Sequence, residues 1–223
     1  MSRIGKIVIA VLPGAVLLLA GCGGADPVVN FGAGDETVAS GETLQWSFDD
    51  QPAGQEPEGA TIFDGSWTVQ QADVAESPPN ELCQTETAKF PAMQLGDDVM
   101  TDLKMSARIK PLTGEEDQAA GLIFRAQDSD NYYILRANAL EKNVSFYKYA
   151  GGNRSFLKED TADVNADVWQ TLSVTVTGDT MQAYFNDDLI VELEDSTFST
   201  GYVGLWTKAD SVTCFDDITV TAE

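Results

Sequence analysis

"GLIFRAQDSDNYYILRANA", residues 121–139, decides the fold class. Two apolar runs flank the polar segment Asp128-Ser129-Asp130-Asn131, whose Asp and Asn side chains bond to nearby backbone and favour a tight turn. The runs therefore read as the two antiparallel strands of a hairpin. Successive side chains of a strand point to opposite faces, which places Leu122, Phe124 and Ala126 in one layer with Tyr133, Leu135 and Ala137. Ile123, Arg125 and Gln127 fall on the other face, beside Tyr132, Ile134, Arg136 and Asn138. Arginines in mid-strand need a reason in a chain with 13 basic residues, 36 acidic ones and a formal charge of −23.

The same grammar extends along the chain. Strand-like runs are expected near 44–48, 66–71, 81–85, 100–109, 119–127, 132–139, 144–149, 169–177, 181–186, 189–193, 202–207 and 218–221, separated by Gly- and Asp-rich turn signals. The segment "TLSVTVTG" alternates most cleanly, with Leu172, Val174 and Val176 opposite Ser173, Thr175 and Thr177. No helical stripe of useful length competes. A dozen short antiparallel strands predict an all-β, two-sheet jelly-roll sandwich.

Carried to "GYVGLWTKADS", the parity rule sends Val203 and Leu205 inward and Tyr202, Trp206 and Lys208 outward. In "TMQAYFN" it buries Met181, Ala183 and Phe185 and exposes Gln182 and Tyr184. An outer face thus gathers Arg125, Tyr132, Arg136, Asn138, Trp206 and Lys208. Aromatic rings offer a flat surface to a pyranose, while Arg, Asn and Lys donate hydrogen bonds to hydroxyls or carboxylates. These six are the candidate carbohydrate-binding residues. The alternative is that both arginines pair with acids such as Asp128 or Glu192 and simply tie strands together.

The N-terminus carries an address. Arg3 and Lys6 precede an apolar run over 7–20 and then Leu19-Ala20-Gly21-Cys22. That run is shorter than the ~20 residues of a membrane-spanning helix and has the layout of an export signal. The last four residues resemble the lipobox of bacterial lipoproteins, whose cysteine is lipidated after cleavage. The resemblance implies a signal peptide over 1–21, acyl chains on Cys22, a membrane contact through lipid alone, and residence at the outer membrane or cell surface. Residues 22–42 read as a flexible acidic tether and 43–223 as one domain. Cleavage would remove two of the 13 basic residues and none of the 36 acids, for a mature charge of −25. Such a charge argues against nucleic acid and anionic lipid as partners, since both would be repelled. It also suits a saline medium, where screening is short-ranged, although a merely acidic, soluble surface is the plainer reading.

With Cys22 assigned to lipid, Cys83 and Cys214 remain. In an exported protein they form a disulfide or stay as two buried thiols. Histidine is absent, which excludes Ser-His-Asp and Cys-His catalysis and any histidine-built metal site.

The ordered motifs "GLIFRAQDSDNYYILRANALEKNVSFYK", "W…L.V.V.G" and "GYVGLWTKADSVTCFDDITV" resemble the laminin-G-like, concanavalin-A-like domains of bacterial exported proteins, most nearly the group commonly labelled 3-keto-disaccharide hydrolase domain. The resemblance covers about 44–222. It implies two curved antiparallel sheets with a concave face that often handles carbohydrate, in lectins, adhesion modules and hydrolases alike. A glycoside hydrolase and a structural or protein-binding surface lipoprotein are therefore the alternatives to a glycan binder. A retaining glycosidase of this fold class would show an E-x-D-x-E run, which is missing; the nearest text is Glu192-Leu193-Glu194-Asp195, and no catalytic residue is assigned. The acid pairs Asp49-Asp50 and Asp216-Asp217 could share a structural calcium, or be solvated strand ends.

Overall fold

The computed structural model describes residues 36–72 and 75–223. The lipobox, Cys22 and most of the tether lie outside the described residues. Sixteen strands run β1 (Glu36–Thr37), β2 (Thr43–Trp46), β3 (Ala60–Asp64), β4 (Trp67–Gln71), β5 (Asn80–Gln84), β6 (Ala92–Met100), β7 (Leu103–Thr113) and β8 (Ala119–Asp128). They continue as β9 (Asn131–Asn138), β10 (Asn143–Ala150), β11 (Asn153–Thr161), β12 (Gln170–Thr177), β13 (Thr180–Phe185), β14 (Asp188–Glu194), β15 (Gly201–Trp206) and β16 (Val212–Ala222).

Two eight-stranded sheets result. One has the order β1-β6-β15-β8-β9-β10-β11, with β3 also paired to β6. The other has the order β14-β13-β12-β7-β16-β5-β4, with β2 also paired to β16. Every pairing is antiparallel except β1 with β6. The two-sheet jelly roll expected from the sequence is the observed architecture.

The core lies between the sheets. Leu122, Phe124, Tyr133, Leu135, Ala137, Val203 and Leu205 face Leu172, Val174, Val176, Met181, Ala183 and Phe185 across it, all buried. A second buried cluster occupies the outer face of the first sheet: Ala92, Ala119, Ile123, Ala126, Tyr132, Ile134, Tyr147 and Trp206, with Phe63, Phe90, Tyr149 and Tyr202 packed against them. Side chains on an outer face are normally wet, so this apolar layer marks the face as unusual.

Parity fails at one place, and the failure has a backbone cause. Between Phe124 and Asp128 the β8–β9 register shifts, and Arg125 takes a φ of 50°. The bulge inserts an extra residue and turns the following side chains over. Ala126, expected inward, joins the outer cluster. Arg125, expected on the outer face, instead donates to the Thr101 and Phe198 carbonyls at 2.9 and 3.1 Å and to Asp102 at 3.1 Å. Gly201 makes room for the bulge: a Cβ there would sit 2.4 Å from the Ala126 carbonyl oxygen.

Cys83 and Cys214 are a register pair of β5 and β16 and form a disulfide. A free-thiol pair is thereby excluded in favour of the bridge.

Candidate functional site

The outer face of the first sheet can be built strand by strand. Arg136 on β9 stands beside Gly121 on β8 and Ser145 on β10; Ile134 stands beside Tyr147, and Tyr132 beside Tyr149. Trp206 on β15 is opposite Gly121. A Cβ at Gly121 would come within 3.1 Å of the Trp206 ring and 3.2 Å of the Leu135 carbonyl oxygen, so glycine lets the indole lie down over β8. Arg154 enters from β11, opposite Tyr149.

These side chains converge. The guanidinium carbon of Arg136 lies 5.3 Å from the Tyr147 ring centroid and that of Arg154 lies 4.5 Å from the same centroid. Arg154 also sits 4.9 Å from Phe90 and 5.8 Å from Trp206. Phe90, from the segment between β5 and β6, stacks on Trp206 at 5.7 Å and meets Tyr149 edge-on at 5.7 Å. Phe90 and Arg154 together cover Trp206, leaving the indole 0% exposed.

Arg136 and Trp206 thus share one surface, as the sequence led us to expect, but the hollow above them is filled by the protein's own side chains. Arg136 donates to Glu141 and, at 3.0 Å, to Asn143. Asp117, fully buried, accepts from Asn138 and Lys208 and lies 3.8 Å from Arg136. Asn138 also caps the β9–β10 turn, its carbonyl accepting from the Leu140 and Glu141 amides at 2.9 and 3.0 Å. Asn138 and Lys208 are therefore committed to Asp117 at one end of the face. Arg125 belongs to a different place, and Gln182 and Tyr184 lie on the second sheet.

The open part of the face lies beyond Phe90. A cleft of about 240 Å³ is lined by Phe63, Asp64, Lys89, Phe90, Ala92, Ser129, Asp130, Tyr132 and Tyr149. Tyr132 forms its floor, stacked with Phe63 at 6.5 Å and against Tyr149 at 5.0 Å. Burial, with Tyr149 beside it, holds the Tyr132 phenol well above its ordinary pKa. It is a neutral aromatic surface throughout the physiological range. Of the six candidates named from the sequence, only Tyr132 lines this cleft. Phe63, Lys89, Phe90, Tyr149 and Arg154 were missed: β3 and β11 were not expected as strands, and Phe90 lies between strands.

Electrostatics distinguish the arginines. Burial lowers the Arg154 pKa, and the charge of Arg136 lowers it further. No carboxylate among the described residues lies within 4 Å of Arg154, whereas Arg108, Arg125 and Arg136 each have one. Burial would raise the Glu141 carboxyl, but hydrogen bonding and charge from Arg136 pull it below its ordinary value.

The candidate calcium residues lie apart from this face. Asp49 accepts from the Asn80 amide at 3.2 Å, and Asp216 from the Ser77 amide at 2.8 Å. Asp217 accepts from the Ser77 hydroxyl at 2.9 Å. Among the described residues the only three-residue set with ligand atoms within 4.8 Å is Glu81, Cys83 and Cys214, and its two sulfurs are spent in the disulfide. Asp49, Asp50, Asp216 and Asp217 do not form such a set.

Comparison with known proteins places the chain. Residues 36–221 match the 3-keto-α-glucoside-1,2-lyase-like domain, and the chain belongs to that family. Among solved structures it is similar to the carbohydrate-binding module CBM66 from Bacillus subtilis, with TM-score 0.63, 24% identity, and coverage of 74% of this chain and 96% of that one. It is also similar to a putative glycosyl hydrolase from Parabacteroides distasonis, with TM-score 0.54, 13% identity, and coverage of 80% and 99%. Among curated proteins, levanase of Bacillus subtilis is 30% identical over 104 residues, which are 45% of this chain and 15% of levanase. The matched stretch is thus a small part of that enzyme.

Proposed function

We propose that this domain binds carbohydrate on the outer face of its first sheet, with one sugar ring seated in the cleft between Phe63, Phe90, Tyr132 and Tyr149. The observation that carries the reading is the composition of that cleft: aromatic walls with Asp64, Lys89, Ser129 and Asp130 at the polar positions. Aromatic faces take up the apolar side of a sugar, and the carboxylates and ammonium bond to its hydroxyls. At about 240 Å³ the cleft is smaller than the roughly 300–1,000 Å³ of drug-sized pockets, which suits a single ring and not a buried chain. Family membership and the likeness in fold to a carbohydrate-binding module support the choice of ligand class.

A glycan array probed with the purified protein and with a Tyr149→Ala variant tests this. Recognition of one glycan group, weakened about two- to tenfold in the variant, is expected, since an aromatic contact contributes roughly 0.5–1.5 kcal/mol. Uniform absence of binding would overturn it.

One observation favours a second reading, a glycoside-cleaving enzyme. Asp64 and Asp130 both border the cleft, and cleavage of a glycosidic bond generally takes two carboxyl groups. Release of sugar from a glycoside, lost in Asp64→Asn and in Asp130→Asn, would establish it. We place the domain outside the cytoplasm on a lipid anchor at Cys22. The disulfide supports export, since such bonds persist in oxidising compartments.

A further inference from the structure

We propose that the hollow that Phe90 closes, between Arg154, Arg136 and Trp206, opens as a second subsite and takes the oxyanion of an acidic sugar. The inference rests on the carbohydrate-binding reading of this face and names the ligand class.

Two buried guanidinium donors there have no hydrogen-bond partner, Nε of Arg136 and Nη1 of Arg154. The Trp206 indole N–H faces the Tyr132 hydroxyl, whose pKa burial raises and a hydrogen bond from that indole lowers, so the indole has a neighbour within the fold that these two guanidinium nitrogens lack. Buried polar groups are nearly always satisfied, and each orphan costs free energy. Two guanidinium donors beside the single ring of Tyr147 mark a place where a ligand completes the bonding.

The orphans also specify the ligand. Both are donors, so the ligand must present acceptors. A hydroxyl brings its own proton that needs a partner, whereas a carboxylate or sulfate is acceptor-only. Both belong to guanidinium groups, which bond most strongly to an oxyanion. Arg154 stays without a carboxylate partner among the described residues of a chain with 36 acids. Such a chain had ample means to neutralise it. The carboxylates of Glu141 and Glu159 are engaged by Arg136, Asn143 and Ser145. The approach runs over the β11 edge, where Phe156, 56% exposed, stands edge-on to Tyr147 at 5.8 Å. A body charge of −23 repels an extended polyanion, so the ligand is a single or terminal acidic sugar.

Titration calorimetry of the full-length protein with glucuronate, glucose 6-sulfate and glucose tests the proposal. One or both acidic sugars should bind at least tenfold more tightly than glucose, and the tighter of the two identifies the oxyanion. Arg154→Gln should abolish the preference, and Arg154→Lys should keep part of it. Arg136→Lys, which removes the Nε donor and keeps the charge, should reduce the preference even if Arg154→Gln proves unstable. Equal binding of acidic and neutral sugars, or a preference that survives both Arg154→Gln and Arg136→Lys, would overturn the subsite and leave the carbohydrate reading intact. Failure of the protein to bind any sugar at all, on an array as in the calorimeter, would overturn both.

Discussion

Arg154 and Trp206 come within 5.8 Å, guanidinium carbon to ring centroid, although β11 and β15 are separated in the sheet by β10, β9 and β8. Four strand spacings amount to about 19 Å. Two long side chains reaching toward one another span that gap, so they meet over the outer face of the first sheet. Phe90 packs against both and closes the hollow.

Removing Phe90 should therefore unseal the hollow. In Phe90→Ala, acrylamide quenching of tryptophan fluorescence should rise as Trp206 gains solvent. Stability to urea should fall by about 1–3 kcal/mol, less than for a fully buried Phe because Phe90 is half-buried. Unchanged quenching would mean that other residues close the hollow.

Arg125 is a clamp. Its guanidinium ties β8 to the carbonyls of Thr101 and Phe198 and to Asp102, and burial lowers its pKa despite Asp102. Arg125→Met should cost about 2–4 kcal/mol of stability, because carbonyls and a carboxylate lose a charged donor. Sugar affinity of the folded variant should match the wild type, as measured by calorimetry below the unfolding transition.

Asp216 gives a pH dependence with a defined sign. Burial, followed by the neighbouring Asp217, pushes its carboxyl up to about 6 from 3.8, against hydrogen bonds from Ser77 and Asp217 that pull it down. The folded state then holds its proton more tightly than the unfolded chain. The stabilisation is complete below pH 3.8 and is lost as pH rises toward 6. At most about 3 kcal/mol is involved, at 1.36 kcal/mol per unit. Asp216→Asn should flatten the stability profile between those pH values and leave the variant relatively more stable at pH 8, provided the amide keeps the Ser77 contact. An unaltered profile in urea titrations would show that another group titrates.

The disulfide joins residues 131 positions apart. In the chain-entropy model a loop of that length contributes roughly 4–5 kcal/mol, with measured values often smaller. Replacement of Cys83 and Cys214 by Ser should lower the urea midpoint by the equivalent of about 2–5 kcal/mol. Dithiothreitol should do the same to the wild type and nothing to the double variant.

How far residues could be read differed from strand to strand. The 121–139 hairpin and the inward set Leu122, Phe124, Tyr133 and Leu135 followed from alternation, because both faces of those strands are packed and the period holds outside the bulge after Phe124. Arg125 and Ala126 did not follow, because a bulge reverses parity and leaves no mark in one-dimensional text. β11 was illegible for another reason: it is an edge strand with mostly exposed side chains, so no apolar alternation announces it, and Arg154 was missed along with it. Phe90 lies between strands, in a segment with no period to read. The outer face itself was legible from Arg136, Tyr132 and Trp206. Its division into a filled hollow and an open cleft was not, since that depends on where two long side chains from distant segments come to rest.

The most direct test of carbohydrate binding on this face is a crystal structure of the protein with the strongest glycan from an array. A sugar ring against Tyr132, Tyr149 and Phe63, within hydrogen-bond reach of Asp64, Lys89 or Asp130, is the predicted result. A glycan seated instead on the second sheet, around Lys104 and Tyr184, would contradict it.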